Sequence, residues 1–186
     1  MDGEGAETAP GHPEILRLLA PNPGPMTGAG TNTYVYGSDP CLVIDPGVDD
    51  PGHLAAIEAA AAARGGIGAV VISHEHPDHT GGADRLGAPV LHPGEGERVG
   101  GLLALATPGH AADHICLVAE QDAAAAAGGS DAAATSTAGA SGGSAAASEA
   151  AEEGVPVCFS GDLVLGAGSS FVPPDGGSLI AYLDSL

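Results

Sequence analysis

Apolar residues along this chain come mainly in short, β-branched runs separated by stretches rich in Gly and Pro. The run Ile15-Leu16-Arg17-Leu18-Leu19, closed by Pro21, predicts an edge strand. Tyr34-Val35-Tyr36 and Leu42-Val43-Ile44, joined through Gly37-Ser38-Asp39-Pro40, predict a hairpin that ends at Asp45-Pro46-Gly47. Gly68-Ala69-Val70-Val71-Ile72 has the length and flanks of a buried strand. Further strands are expected at 89–92, 102–106, 114–119 and 155–159. Two segments carry helical spacing instead. Residues 53–63 are Ala-rich with Leu54 and Ile57 on a thin apolar face, capped by Asp49 or Asp50 with Pro51 at an early position. Residues 178–186 place Leu179, Ile180, Leu183 and Leu186 on one stripe, with Asp175 or Ser178 as cap.

Between these segments lie two stretches without a pattern. Residues 22–33 hold too many turn formers for regular structure and read as a connector. Residues 121–154 are dominated by Ala, Gly, Ser and Thr with scattered acids, so nothing there offsets the entropy of ordering. They read as a disordered insertion within a hairpin, with a lid over a site as the alternative. Residues 1–14, polar and interrupted by Pro10 and Pro13, read as a flexible leader, leaving 15–186 as a single domain.

The stretch that breaks the strand pattern most sharply is Ser73-His74-Glu75-His76-Pro77-Asp78-His79-Thr80-Gly81-Gly82. It follows a predicted strand and precedes a segment that can open a helix, so its ligands sit on a strand-to-helix loop. An extended backbone sends residues i and i+2 to one side. His74 and His76 can then grip one ion while Asp78 and His79, past the Pro77 bend, face a neighbouring one. Imidazole and carboxylate together suit zinc, with iron or manganese also possible, and disfavour a calcium or magnesium cage. A closed structural zinc site prefers Cys-rich sets and four filled positions, and too many ligands are offered here for that. A second histidine loop, Thr107-Pro108-Gly109-His110, again ends a predicted strand, and Ser160-Gly161-Asp162 puts a carboxylate at a third strand end. Asp162 alone could be a turn former; beside the histidine loops it reads as a bridging ligand. His114 is either a group behind the ligands or substrate-facing, or a packed strand residue.

Composition narrows the partners. Twenty-four acidic side chains against four arginines give a formal charge of −20, so no basic patch exists to hold nucleic acid or an anionic membrane surface. Aromatic residues make up only 3%, so the core must be built from Val, Leu, Ile and Ala. Cys41, Cys116 and Cys158 each lie inside an apolar run and are odd in number, which predicts buried reduced thiols and a reducing compartment. An acidic N-terminus without an apolar core segment, and no apolar run of spanning length, make a cytoplasmic protein the expectation.

The order His74-x-His76-x-Asp78-His79, Thr107-Pro108-Gly109-His110, Gly161-Asp162 resembles the metallo-β-lactamase superfamily over nearly all of 15–186 outside the insertion. Asn22-Pro23-Gly24-Pro25-Met26, Gly30-Thr31-Asn32-Thr33-Tyr34, Ile44-Asp45-Pro46-Gly47 and Tyr182-Leu183-Asp184-Ser185-Leu186 look like its β-lactamase-like protein 2 branch, which includes metal-dependent endoribonucleases. The resemblance implies an α/β fold, a four-layered αββα sandwich, with the site at one edge. It further implies that His74, His76 and His110 bind one metal, that Asp78 and His79 bind a second, and that Asp162 bridges them. The family's last metal-2 histidine follows the helix that begins near Ser178, so the sequence is expected to be a fragment with an incomplete second half. A dizinc centre of this kind lowers the pKa of water to ~7, which implies a hydrolase in which metal-bound hydroxide attacks an ester, thioester or phosphodiester. Asp78 is the expected catalytic residue, accepting a hydrogen bond from that nucleophile. The alternatives are an endoribonuclease-like enzyme and a non-catalytic metal-binding relic. The substrate, small molecule or oligonucleotide, and the oligomeric state are not encoded in these motifs.

Overall fold

The computed structural model describes residues 6–119, 157–166 and 169–186, so the expected insertion at 121–154 lies outside the described residues. Among the described residues ten strands form two sheets. In chain order they are β1 (Ala6–Ala9), β2 (His12–Leu19), β3 (Asn32–Tyr36), β4 (Cys41–Ile44), β5 (Ile67–Val71), β6 (Val90–Leu91), β7 (Arg98–Val99), β8 (Leu102–Ala106), β9 (Ile115–Ala119) and β10 (Val157–Phe159). The first sheet runs β1-β2-β3-β4-β5-β6 and the second β10-β9-β8-β7. Pairing is antiparallel except for β4 with β5 and β5 with β6, where the connections cross over a face of the sheet. The helices are α1 (Pro51–Ala62), α2 (Pro77–Thr80) and α3 (Leu179–Ser185), with a 3-10 turn at Ala83–Leu86.

Side-chain alternation along β4 explains the layering. All four residues of Cys41-Leu42-Val43-Ile44 are buried, yet successive side chains leave opposite faces of a strand. Cys41 and Val43 join Val35, Val70 and Ile72 beneath Leu54, Ile57 and Ala61 of α1. Leu42 and Ile44 join Ala69 and Val71 against Leu102, Ala104, Ile115, Leu117 and Phe159 of the second sheet. A strand covered on both faces is a continuous apolar run, which is how it reads in the sequence. The structure thus has three of the α/β layers that the resemblance implies: α1, first sheet and second sheet. Aliphatic residues fill the core as expected, with one aromatic cluster where the Phe159 ring meets Tyr34 and Tyr36 edge-on at 5.1 and 5.7 Å.

Asp50 caps α1 by accepting from the His53 amide, and Pro51 occupies the first turn, where its missing N–H costs nothing. Ser178 caps α3 in the same way through the Ala181 amide. The apolar stripe of α3 is exposed: Leu179, Ile180, Leu183 and Leu186 all face outward. No helix among the described residues is long and apolar enough to cross a membrane.

Four expectations need correction. Residues 6–14 are not a loose leader where described: β1 pairs with β2, Glu7 opposite Arg17 and Thr8 opposite Leu16. Backbone hydrogen bonding needs no apolar side chains, so the polar sequence hides this strand. Residues 15–19 consequently sit inside the sheet, between β1 and β3, and not at its edge. The segment after the histidine cluster forms only the short 3-10 turn, while the one-turn α2 carries Asp78 and His79 themselves. Cys158 is exposed, whereas Cys41 and Cys116 are buried, because in β10 Phe159 and Val157 take the inward positions.

Candidate metal centre

The two sheets deliver their strand ends to one edge. Asp45 follows β4; Ser73 and His74 follow β5; His110 follows β8; His114 precedes β9; Asp162 follows β10. His74 Nε2 and His110 Nε2 each lie 3.0 Å from His76 Nδ1. The opposite nitrogens fix the tautomers. His110 Nδ1 is 2.5 Å from the Phe171 carbonyl, which only accepts, so the proton is on Nδ1 and the Nε2 lone pair points inward. Ser73 Oγ donates to Asp45 Oδ2 at 2.6 Å, and so accepts from His74 Nδ1 at 3.0 Å. His74 Nε2 is then also unprotonated. Three ring nitrogens thus converge within 4.8 Å, two of them with lone pairs directed inward, and this donor set fits a first-row divalent metal.

A second trio, His74, His79 and Asp162, also falls within 4.8 Å. Asp162 spans the two: Oδ1 is 3.4 Å from His79 Nε2 and Oδ2 is 3.4 Å from His110 Nε2. Asp78 stands at the mouth, its Oδ2 3.7 Å from His79 Nε2. Burial alone would lower the pKa of His79, but hydrogen bonds to Asp162 and Asp45, with the charges of both, outweigh it and raise it to about 10. Burial likewise favours neutral Asp162, and the hydrogen bond from His79 with its charge reverses this, lowering the carboxyl to about 2. In the protein alone the His79 proton sits between carboxylates where a divalent cation can replace it. Burial and neighbouring His79 hold His74 down to about 2, so it stays a neutral ligand.

All six expected ligands, His74, His76, Asp78, His79, His110 and Asp162, are therefore brought together. His114 takes the supporting role: its Nε2 accepts the Asp162 amide at 3.1 Å and its Nδ1 donates to Thr107 Oγ at 2.9 Å. Burial and the nearby His110 lower its pKa to about 4, which keeps Nε2 an acceptor. Gly161 makes this approach possible; its φ is +48°, and a Cβ would fall 2.6 Å from His114 Nε2 and 2.9 Å from Ser73 Oγ.

Three supporting residues escaped the sequence reading. Asp45, with a left-handed φ of 48°, accepts from the Ser73 amide at 2.8 Å, from Ser73 Oγ and, at 2.9 Å, from His79 Nδ1. It orients one imidazole of each trio. Asn22 holds Thr31 through both its amide atoms, and Thr31 Oγ1 donates to Asp78 Oδ2 at 3.3 Å, so the Gly/Pro loop is more than a connector. Their signal in the sequence was membership of the motifs that carry the resemblance, Asn22-Pro23, Gly30-Thr31 and Asp45-Pro46-Gly47, which gave them no role beyond common turn chemistry.

Comparison with known proteins bears on the family and the fold. The family described as the metallo-beta-lactamase superfamily matches residues 26–89. The chain belongs to that superfamily. It is 34% identical over 197 residues to the atrochrysone carboxyl ACP thioesterase of Passalora fulva, covering 94% of this chain and 49% of that protein. It is 37% identical over 132 residues to the lactamase-like protein vrtG of Penicillium aethiopicum, covering 59% of this chain and 43% of the relative. The superfamily chain thus spans about half the length of such curated relatives. Among solved structures, TTHA1623 in a di-iron-bound form superposes with a TM-score of 0.60 at 20% identity, over 91% of this chain and 82% of that one. The metallo-beta-lactamase family protein TTHA1429 from Thermus thermophilus gives 0.62 at 19%, over 93% and 68%. These two likenesses concern the fold.

Proposed function

We propose that the chain carries the metal centre of a hydrolase that cleaves a thioester or ester, with two divalent ions, zinc by the chemistry of the donors. The observation that carries this reading is the convergence of ring nitrogens from His74, His76 and His110, with Asp162 reaching from them to His79. Ions bound there supply Lewis acidity and acidify water to a pKa of ~7.

The chain's own residues define the rest of the step. Asp78, partly exposed and steadied by Thr31, is placed to accept a proton from the attacking water and orient its lone pair toward the carbonyl. Addition of that oxygen and departure of the thiol leave a carboxylic acid and a thiol, the proton from water passing to the leaving sulfur. His114 and Asp45 keep Asp162 and His79 in register without touching substrate. A thioester is preferred over an RNA phosphodiester because a net charge of −20 offers a polyanion no grip and because a relative is named a thioesterase. A reducing, cytoplasmic setting is proposed with it on the strength of three free thiols.

The test is hydrolysis of small acyl thioesters by metal-loaded protein. Turnover should vanish with a chelator, return with zinc or manganese, and be lost in His76→Ala. Chelator-insensitive turnover, or none with any metal, sinks the reading.

A further inference from the structure

The first sheet has six strands and the second four, and the overhang forms the floor of a cavity of about 840 Å³ beside the metal centre. Cross-strand register places Arg17 opposite Tyr34, Tyr34 opposite Ile44, and Ile44 opposite Val71. Directly opposed residues share a face of a sheet. Ile44 and Val71 lie under the second sheet, which stops at Phe159 packed on Tyr34; Arg17 lies one strand further out, on open floor. Two interstrand steps separate Arg17 from Ile44, the residue before Asp45, a reach of about 10 Å. Along that reach the cavity is rimmed by Leu19, Met26, Val164 and Phe171, all exposed apolar side chains.

Arg17 is the arginine among the residues lining the cavity, and it lies away from the histidines of the metal end. The other described arginines with known partners are committed elsewhere: Arg64 donates to the carbonyls of Pro13, Glu14 and Gly37, and Arg85 pairs with Asp49. Arg17 pairs through one terminal nitrogen with Glu7, and both are exposed. An exposed pair of this kind is weak, and a guanidinium has donors enough for a second carboxylate or a phosphate. The carboxylates that line the cavity, Asp45, Asp78 and Asp162, belong to the metal end. The cavity is thus polarised, with metal ligands at one end, apolar walls between, and a cation at the other.

We infer that Arg17 and the apolar rim form a subsite that selects an acyl compound bearing an anionic group about 10 Å from the scissile carbonyl. This rests on the proposed hydrolase reading for its scissile carbonyl, but the anion site can be tested without turnover. The anion is either a carboxylate on the acyl side or a phosphate on the thiol side, and both have the chemistry a guanidinium recognises.

Three thioesters separate these sources: octanoyl N-acetylcysteamine, which is neutral; its analogue with a terminal carboxylate on the acyl chain; and octanoyl phosphopantetheine. At least one anionic substrate should exceed the neutral one about tenfold in kcat/KM, and Arg17→Gln should abolish that ratio. Glu7→Gln should keep or raise it; a loss there like that in Arg17→Gln would show the pair to be structural and overturn the inference. Calorimetric binding of octanedioate against octanoate, and of phosphopantetheine against pantetheine, reads the same preference in protein that turns nothing over. An anion preference in binding without hydrolysis would sink the hydrolase reading alone. Equal affinities and equal kcat/KM across each matched pair, or a preference that survives in Arg17→Gln, overturns the subsite.

Discussion

Asp45 and His79 share a hydrogen bond of 2.9 Å between two side chains that are each 5% exposed. The same carboxylate oxygen also takes the Ser73 hydroxyl, so a single side chain outside the expected ligand set orients histidines of both trios. Asp45→Asn keeps the shape and removes the charge. Metal affinity should fall about 10- to 100-fold, as it does when a group behind a ligand is lost. Competition with a chromophoric chelator measures this, and unchanged affinity would show Asp45 to be a packing residue.

His76 Nδ1 is the atom toward which both His74 and His110 point. His76→Ala and His110→Ala should each lower metal content by about one ion per chain, while His92→Ala, outside the cluster, should lower it by none. Elemental analysis of purified protein after equilibration with limiting zinc decides between them.

His114, behind the ligands, and His79, among them, predict opposite limbs of a pH profile in chelator-treated protein. His114 has a folded pKa lowered to about 4, so its contribution to stability is present above the ordinary value of 6.5 and is lost as pH falls from there toward 4. His79 has a folded pKa raised to about 10, so its contribution is present below 6.5 and is lost as pH rises toward 10. The melting temperature should therefore peak near neutrality. His114→Gln should flatten the acid limb and His79→Gln the alkaline one, read by thermal denaturation across that range.

Two glycines are tied to the ligand loops by steric contact. Gly161→Ala places a methyl against His114 and Ser73 at a left-handed φ, costing roughly 1–2 kcal/mol in backbone strain before the clash. Gly109→Ala would meet Tyr182 Cα at 2.3 Å and lift α3 from the Thr107-Pro108-Gly109-His110 loop. Both variants should lose metal affinity as well as melting temperature, whereas a purely structural loss leaves affinity in the folded fraction intact.

Core and surface helix should respond differently to truncation. Ile44→Ala, in the layer between the sheets, should cost about 2–5 kcal/mol. Ile180→Ala, on the exposed stripe of α3, should change stability by less than ~0.5 kcal/mol. Urea titrations of the two variants test the contrast.

The sequence made some layers plain and hid others for physical reasons. Val70, Val71 and Ile72 announce a strand because burial on both faces demands apolar residues throughout, and the ligands after them announce themselves because clustered imidazoles have few other uses. β1 is silent because Ala6–Ala9 contributes backbone pairing and little burial. Asp45 stands out only as part of the Ile44-Asp45-Pro46-Gly47 motif, with no role attached, because one aspartate at a strand end looks like any turn; only the fold shows that its carboxylate faces His79. The Asn22 to Thr31 to Asp78 chain spans residues far apart in sequence and could not be read from spacing.

His74 belongs to both trios, yet its inward nitrogen has a single lone pair to give. The two positions would be rivals for one donor: were His74, His76 and His110 to hold one ion, Asp78, His79 and Asp162 would be left to hold a second. Under the proposed two-metal reading, loading would then be hierarchical, a tight first equivalent followed by a looser second, and the fraction of chains with a complete pair would track the surrounding free-metal level.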